Sequence, residues 1–121
     1  MDEKLYWYKA KCLRIIDGDT IEVNIDLGLK ISLKERIRLY GLNSSEIFGV
    51  KMGSPEYLEG MKCKDRVVQL IEGKEIWLNT IKDKQEKYGR YLGIVYFSDN
   101  NQLISLNNLL LTEGLAKVAT Y

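Results

Sequence analysis

A strict alternation of apolar and polar residues within roughly the first forty positions restricts the fold more than any other feature of this sequence. Ile21, Val23, Ile25 and Leu27 alternate with Thr20, Glu22, Asn24 and Asp26, the two-residue period of a strand with one buried face. Ile31, Leu33, Ile37 and Leu39 alternate in the same way with Ser32, Lys34, Arg36 and Arg38. Upstream, roughly Tyr6 to Ile16 is aromatic and β-branched enough for a first strand. Asp17-Gly18 supplies a tight turn between the first two strands, and Leu27-Gly28-Leu29 supplies the next. Three sequential strands joined this closely form an antiparallel meander.

The character then changes. Gly41 to Gly53 holds three glycines and two serines and reads as a loop. Ser54 is placed as an N-cap, with Pro55 at the first helical position and Glu56 in the first turn. Tyr57, Met61, Val68 and Ile71 follow at helical spacing, and Gly73 is placed to end the helix. Two further strands are expected, Glu75 to Thr80 and Arg90 to Phe97, with a charged loop from Ile81 to Gly89 between them. Ser98-Asp99-Asn100-Asn101 reads as a turn, and a short helix from about Leu106 to Glu113 stops at Gly114.

Three strands, a helix, two strands and a helix fit a mainly β, α+β chain: a five-stranded OB-fold barrel with one helix after strand 3 and a short C-terminal helix. A ferredoxin-like sandwich needs a helix between the first two strands, and the Asp17-Gly18 turn leaves no room for one. Residues 1–121 read as one domain, with no internal repeat.

Composition narrows the chemistry. Lys+Arg number 18 and Asp+Glu 17, so any nucleic-acid surface must arise from local clustering. No run of 18 apolar residues is present, which argues against a membrane helix. Met1-Asp2-Glu3-Lys4 is polar and no apolar leader follows it, so the cytoplasm is the expected compartment, with secretion of a processed form the alternative; a monomer is the expected state. Cys12 and Cys63 are far apart in apolar surroundings and read as buried thiols. The sequence contains no histidine. That removes Ser-His and Cys-His nucleophilic catalysis and leaves carboxylates, oxygen-bound hard cations, arginine and lysine for any hydrolysis.

Several residues could carry such chemistry, and each also has a structural reading. Asp17 suits the turn beside Gly18. Asp19, taken to lie just past that turn at a strand's start, is either turn chemistry or a ligand for Mg²⁺ or Ca²⁺. Arg38 belongs to a polar strand face that solvent alone would explain, and Glu46 lies in a loop where carboxylates are usually solvated. Lys87, Tyr88 and Arg90 sit in a charged segment that is either a hairpin tip or a grip on phosphate, with Lys87 a point charge, Arg90 a bidentate fork and Tyr88 a stacking surface.

Taken in order, Ile16-Asp17-Gly18-Asp19-Thr20, Arg38-Leu39 through Glu46, Lys87-Tyr88-Gly89-Arg90 and Gly114-Leu115-Ala116-Lys117-Val118-Ala119 resemble the staphylococcal nuclease (thermonuclease) family. The resemblance implies a divalent-metal-dependent nuclease, with Ca²⁺ and alternatively Mg²⁺ or Mn²⁺, acting on DNA or RNA from an OB-fold barrel. By the same resemblance Asp19, Asn43 and Ser44 fall at the metal, Asn43 replacing a carboxylate of the family and Ser44 offering its backbone carbonyl. Glu46 falls at the carboxylate that handles the attacking water, and Arg38 and Arg90 at the phosphate-holding arginines. Lys87 and Tyr88 match contacts to the nucleotide, while Thr120 stands where the family has a stacking tyrosine and Tyr121 is its neighbour. The alternative is a catalytically silent barrel that binds nucleic acid or a protein partner.

Overall fold

Alternating residues of the meander become the wall of a barrel. The structure is a computed structural model that describes residues 5–85 and 89–119, residues 82–85 by backbone alone. Strand β1 (Trp7–Asp17) pairs antiparallel with β2 (Thr20–Asp26), and β2 with β3 (Ser32–Leu39). In-register pairs such as Ile15 with Ile21, Cys12 with Val23 and Ile21 with Ile37 point inward and are buried. After the two-residue β4 (Leu42–Asn43) and helix α1 (Pro55–Ile71), β5 (Glu75–Gln85) returns against β1. Strand β6 (Tyr91–Asp99) then pairs with β5 and, in parallel, with β3 through Ile37–Tyr91, Arg38–Leu92 and Leu39–Gly93. The order β3-β2-β1-β5-β6 therefore closes on itself. This is the five-stranded barrel expected from the sequence.

Ile21, Val23, Ile37, Leu39, Ile76, Leu78 and Val95 lie in its fully buried core. Each such side chain stabilises the fold by about 1.5–3 kcal/mol. The expectation that Ile31 and Leu33 share the buried face of β3 is corrected: they are 55% and 44% exposed. The hairpin runs beyond the barrel, and its tip turns through Gly28, Leu29 and Lys30, all at positive φ. Strand β5 reaches Gln85, five residues past the expected Thr80.

Helix α1 starts as its sequence dictates, with Ser54 Oγ accepting from the Tyr57 N–H at 3.2 Å and Pro55 at the first position. Its buried face differs from the expected one. Gly60, Cys63, Val67 and Ile71 face the barrel, while Tyr57, Met61 and Val68 are half-buried at its edges. Small residues lead that face because the helix comes close to neighbouring backbone. A Cβ on Gly60 would lie 2.5 Å from both the Ser45 carbonyl oxygen and the Ile47 side chain.

The last elements are β7 (Gln102–Ser105), which extends the sheet beyond β6, α2 (Leu106–Thr112) and β8 (Lys117–Val118), which pairs with β4. Sequence periodicity missed β4, β7 and β8, which are too short to show one. Cys12 and Cys63 are buried free thiols, and burial pushes both up to about 12. No helix among the described residues is long and apolar enough to cross a membrane.

Candidate active site

The β1–β2 turn differs by one residue from its expected form. Asp17 pairs with Thr20, so Gly18 and Asp19 are the two turn residues and Asp19 lies within the turn. Gly18 is required by space rather than by a left-handed backbone. A Cβ there would stand 2.5 Å from Cys63 Sγ and 2.9 Å from Ser44 Cβ. The turn is thereby wedged between α1 and the segment after β4, and Cys63 Sγ contacts the Gly18 carbonyl at 3.6 Å.

Wedging aims two carboxylates into one place. Asp19 is buried, at 7% exposure. Its Oδ1 accepts from the Thr20 hydroxyl at 3.1 Å, its Oδ2 accepts from the Ser44 N–H at 3.2 Å, and Arg38 Nη2 lies 3.7 Å from Oδ2. Asp17 Oδ1 accepts from the Asp19 N–H at 3.1 Å. Burial works against the Asp19 charge, but hydrogen bonding from Asp17 and Ser44, the Arg38 charge and Thr20 outweigh it and hold its carboxyl below the ordinary range. Asp17 goes the other way: burial, then its hydrogen bond to Asp19 and the Asp19 charge, push it up to about 7. Two adjacent carboxylates share a proton because they repel when both are ionised.

This has a consequence for stability. A carboxyl raised in the folded state holds a proton that the unfolded chain gives up near pH 4. Its contribution is therefore full below that pH and is lost as pH rises through about 7. In metal-free buffer, the urea midpoint of wild type should fall relative to that of Asp17→Asn between pH 5 and pH 8. A pH-independent difference between the two proteins would contradict the shared proton.

Arginines enter from two strands. Arg38, near the end of β3, sits opposite Thr20, and its Nη2 donates to the Asn43 side-chain oxygen. Its Nε is buried with no hydrogen-bond acceptor among the described residues. Arg90 immediately precedes β6, and Nη1 donates to the Thr20 hydroxyl at 2.8 Å. Thr20 thus links Arg90 to Asp19. The parallel β3–β6 seam makes this meeting possible, because it brings the start of β6 beside β3 and β2.

Glu46 arrives on the loop after β4, exposed beside buried Ile47. That loop is held to α1 by the close approach at Gly60 and by the Ser45 hydroxyl, which donates to Glu59 at 3.0 Å. One cleft of about 710 Å³ is lined by Asp17, Asp19, Thr20, Arg38, Glu46 and Arg90 together. Glu22, Lys34, Glu35 and Arg36 also line it.

Not every expected residue joins them. Asn43 and Ser44 line a second hollow, with Glu59, Lys62 and Lys117. Ser44 reaches Asp19 by its backbone N–H, and Asn43 reaches the cluster as an acceptor for Arg38. Lys87, Tyr88 and Tyr121, with Thr120, lie outside the described residues. Asp17 and Thr20 were missed. Asp17 looked like turn chemistry and Thr20 like one more polar residue of a half-buried strand.

An arginine pair, buried Asp19 with half-buried Asp17, and a loop glutamate thus meet around one cleft on a closed five-stranded barrel. Residues 36–121 match the family model described as staphylococcal nuclease homologue, and the chain belongs to that family. It is 31% identical over 108 residues to the thermonuclease of Staphylococcus intermedius, covering 89% of this chain and 58% of that protein. It is 29% identical over 111 residues to the thermonuclease of Staphylococcus hyicus, covering 92% and 59%. An uncharacterised protein of Methanocaldococcus jannaschii is 29% identical over 127 residues, covering 92% and 59%. The chain thus spans about three-fifths of the length of these curated relatives.

Proposed function

We propose that this protein is a divalent-metal-dependent nuclease that hydrolyses phosphodiester bonds in DNA or RNA. The observation that carries the proposal is the convergence of Arg38, Arg90, Asp19 and Glu46 on one cleft, with a buried Arg38 Nε–H that has no acceptor among the described residues. A phosphate oxygen is a suitable acceptor for it. Kinship with two proteins named thermonuclease supports the same reading.

The donor set suits a hard cation. Asp19 and Asp17 offer carboxylate oxygens, the ligand class of Ca²⁺ and Mg²⁺, and the proton they share marks negative charge that a cation would relieve. Among the described residues no group of three or more acidic, cysteine or histidine side chains is close enough to hold an ion, so carbonyl or water oxygens would complete the shell. Asn43 and Ser44 are the proposed neutral ligands. Asn43 Oδ1 accepts from Arg38, and it would be available to a cation if the guanidinium turned to a phosphate. The bound cation would neutralise charge on the phosphoryl oxygens.

This chain's own groups do the rest. Arg38 is the register partner of Thr20 and Arg90 donates to its hydroxyl, and both line the cleft, so both guanidiniums can face the non-bridging oxygens on which charge grows. Glu46, exposed on the cleft wall, is placed to orient a water or take its proton. Lys87, Tyr88 and Tyr121 are proposed contacts to the nucleotide. Incubation of single-stranded DNA with the protein and Ca²⁺ should give fragments, and excess EDTA should abolish them. Fragmentation that persists undiminished in EDTA would rule out the metal.

A further inference from the structure

The cleft opens onto a sheet face with a charge pattern of its own. The chain as a whole is nearly neutral, at +1. The exposed face of β1, β2 and β3 is not. Lys9, Lys11 and Arg14 of β1 and Lys34, Arg36 and Arg38 of β3 flank β2, whose carboxylates on that face are Glu22 and Asp26. Asp26 is engaged in the hairpin turn, accepting from the Gly28 N–H at 2.8 Å. Glu22 is left at the centre of three cations, 3.6 Å from Arg14, 3.4 Å from Lys34 and 3.9 Å from Arg36. The Glu22 side chain is 14% exposed, while those three are 59%, 66% and 54% exposed.

Such an arrangement does little for folding. Exposed ion pairs contribute little, and like charges repeated along one strand face repel. One carboxylate cannot neutralise three cations, so the face is left attractive to an anion. Lys34, Arg36 and Arg38 are alternate residues of one strand and hence stand about 6.5–7 Å apart on the same side. That interval is comparable to the spacing of consecutive phosphates in an extended nucleic-acid strand. The ladder also runs into the proposed active site, because Glu22, Lys34 and Arg36 line the same cleft as Arg38.

We infer that Arg36 and Lys34, with Arg14 beside them, hold the phosphates flanking the one bound at Arg38, and that the substrate is a single strand lying along β3. Glu22 occupies the centre of this ladder as an internal counter-charge that an incoming phosphate must displace. The inference rests on the proposed function for the position of the phosphate at Arg38, and it adds the path of the strand and the residues that follow it.

Fluorescence anisotropy with labelled oligothymidylates of two and eight nucleotides tests it, in EDTA so that binding is read without turnover. The eight-nucleotide strand should bind wild type more tightly than the two-nucleotide one. Lys34→Ala/Arg36→Ala should lose at least tenfold of its affinity for the longer strand and flatten the slope of log affinity against log salt by about 1.4, the counterions of two phosphate contacts on a single strand. Glu22→Gln should bind the longer strand more tightly than wild type, a gain that misfolding cannot produce. Unchanged affinity and salt slope in both variants, in a wild type that digests single-stranded DNA, would overturn the ladder and leave the nuclease reading standing. A wild type that binds through these residues without digesting DNA would support the ladder and count against the nuclease. A wild type that binds neither strand would overturn the ladder directly.

Discussion

Replacing Arg38 with alanine should lower turnover on single-stranded DNA by about 10²–10³-fold, and Arg90→Ala should do the same. Hydrolysis of a phosphodiester builds negative charge on the non-bridging oxygens, and donors fixed before the reaction stabilise it without reorganising. Arg38 is fixed in this sense: its side chain is 20% exposed, held by Asn43 and close to Asp19. Arg90 is held through the Thr20 hydroxyl. The two replacements also affect the folded protein differently. Removing Arg38 takes a cation from beside buried Asp19, whose ionised form it favours, so Arg38→Ala should titrate Asp19 at higher pH as well as slow turnover. Steady-state kinetics on a defined oligonucleotide measure the first effect and carboxyl-selective NMR titration the second. Near-wild-type turnover in either variant would remove that arginine from the site.

The largest expected effect on stability lies at the barrel seam. Asn107, on α2, is 3% exposed and makes three hydrogen bonds across the seam. Its Oδ1 accepts from the Val95 N–H at 3.0 Å, and its Nδ2 donates to the Tyr40 carbonyl at 2.8 Å and the Gly93 carbonyl at 3.2 Å. These groups belong to β6 and to the end of β3, where the sheet closes. In Asn107→Ala the Gly93 carbonyl still accepts from the Tyr40 N–H, but the Val95 N–H and Tyr40 carbonyl lose their Asn107 partner. At about 1–3 kcal/mol for a buried group left unsatisfied, the Val95 N–H alone costs about 2 kcal/mol. That is a large share of a marginal total and corresponds to a drop in Tm of about 6–12 °C. Asn108→Ala, next in sequence and exposed, should change stability by less than about 0.5 kcal/mol. Equal, small effects from the two in thermal unfolding would show that the seam does not depend on Asn107.

The elements legible in the sequence were those with enough residues to show a period. Ile21 through Ile25 alternate as a strand with one buried face, though Leu27, which kept the period, lies past its end and is 43% exposed; Ser54-Pro55 marks a helix start by residue type alone. What stayed hidden depends on contacts between distant segments. Gly18 looked like a turn glycine, yet its lack of a side chain matters because Cys63, 45 positions away, packs against it. Gly60 and Cys63 are too small to signal the buried face of α1, whereas the larger Tyr57 and Met61 suggested a neighbouring one. Ile31 and Leu33 kept the period of a buried strand and are exposed because the hairpin outruns the barrel, a matter of length that alternation cannot report.

The candidate site divides in the same way. Asp19, Arg38, Glu46 and Arg90 are separated in sequence, and only the resemblance to a family joined them before the fold did. The structure brings these four to one cleft and adds Asp17 and Thr20, neither of which could be singled out from its own surroundings. Asn43 is the residue whose position says most that the sequence could not. Its oxygen engages Arg38, which couples the proposed metal ligand to the proposed phosphate ligand through one hydrogen bond.

The central claim is that Glu46 acts on the water that attacks a phosphate held by the two arginines. Its most direct test is the turnover of Glu46→Gln on single-stranded DNA at saturating Ca²⁺, beside wild type. Glu46 is exposed and the glutamine keeps its shape, so folding should be unchanged while turnover falls by about 10²–10⁴-fold, the usual worth of a positioned general base. A Glu46→Gln protein that digests DNA as fast as wild type, or a wild type that digests none, would contradict the account.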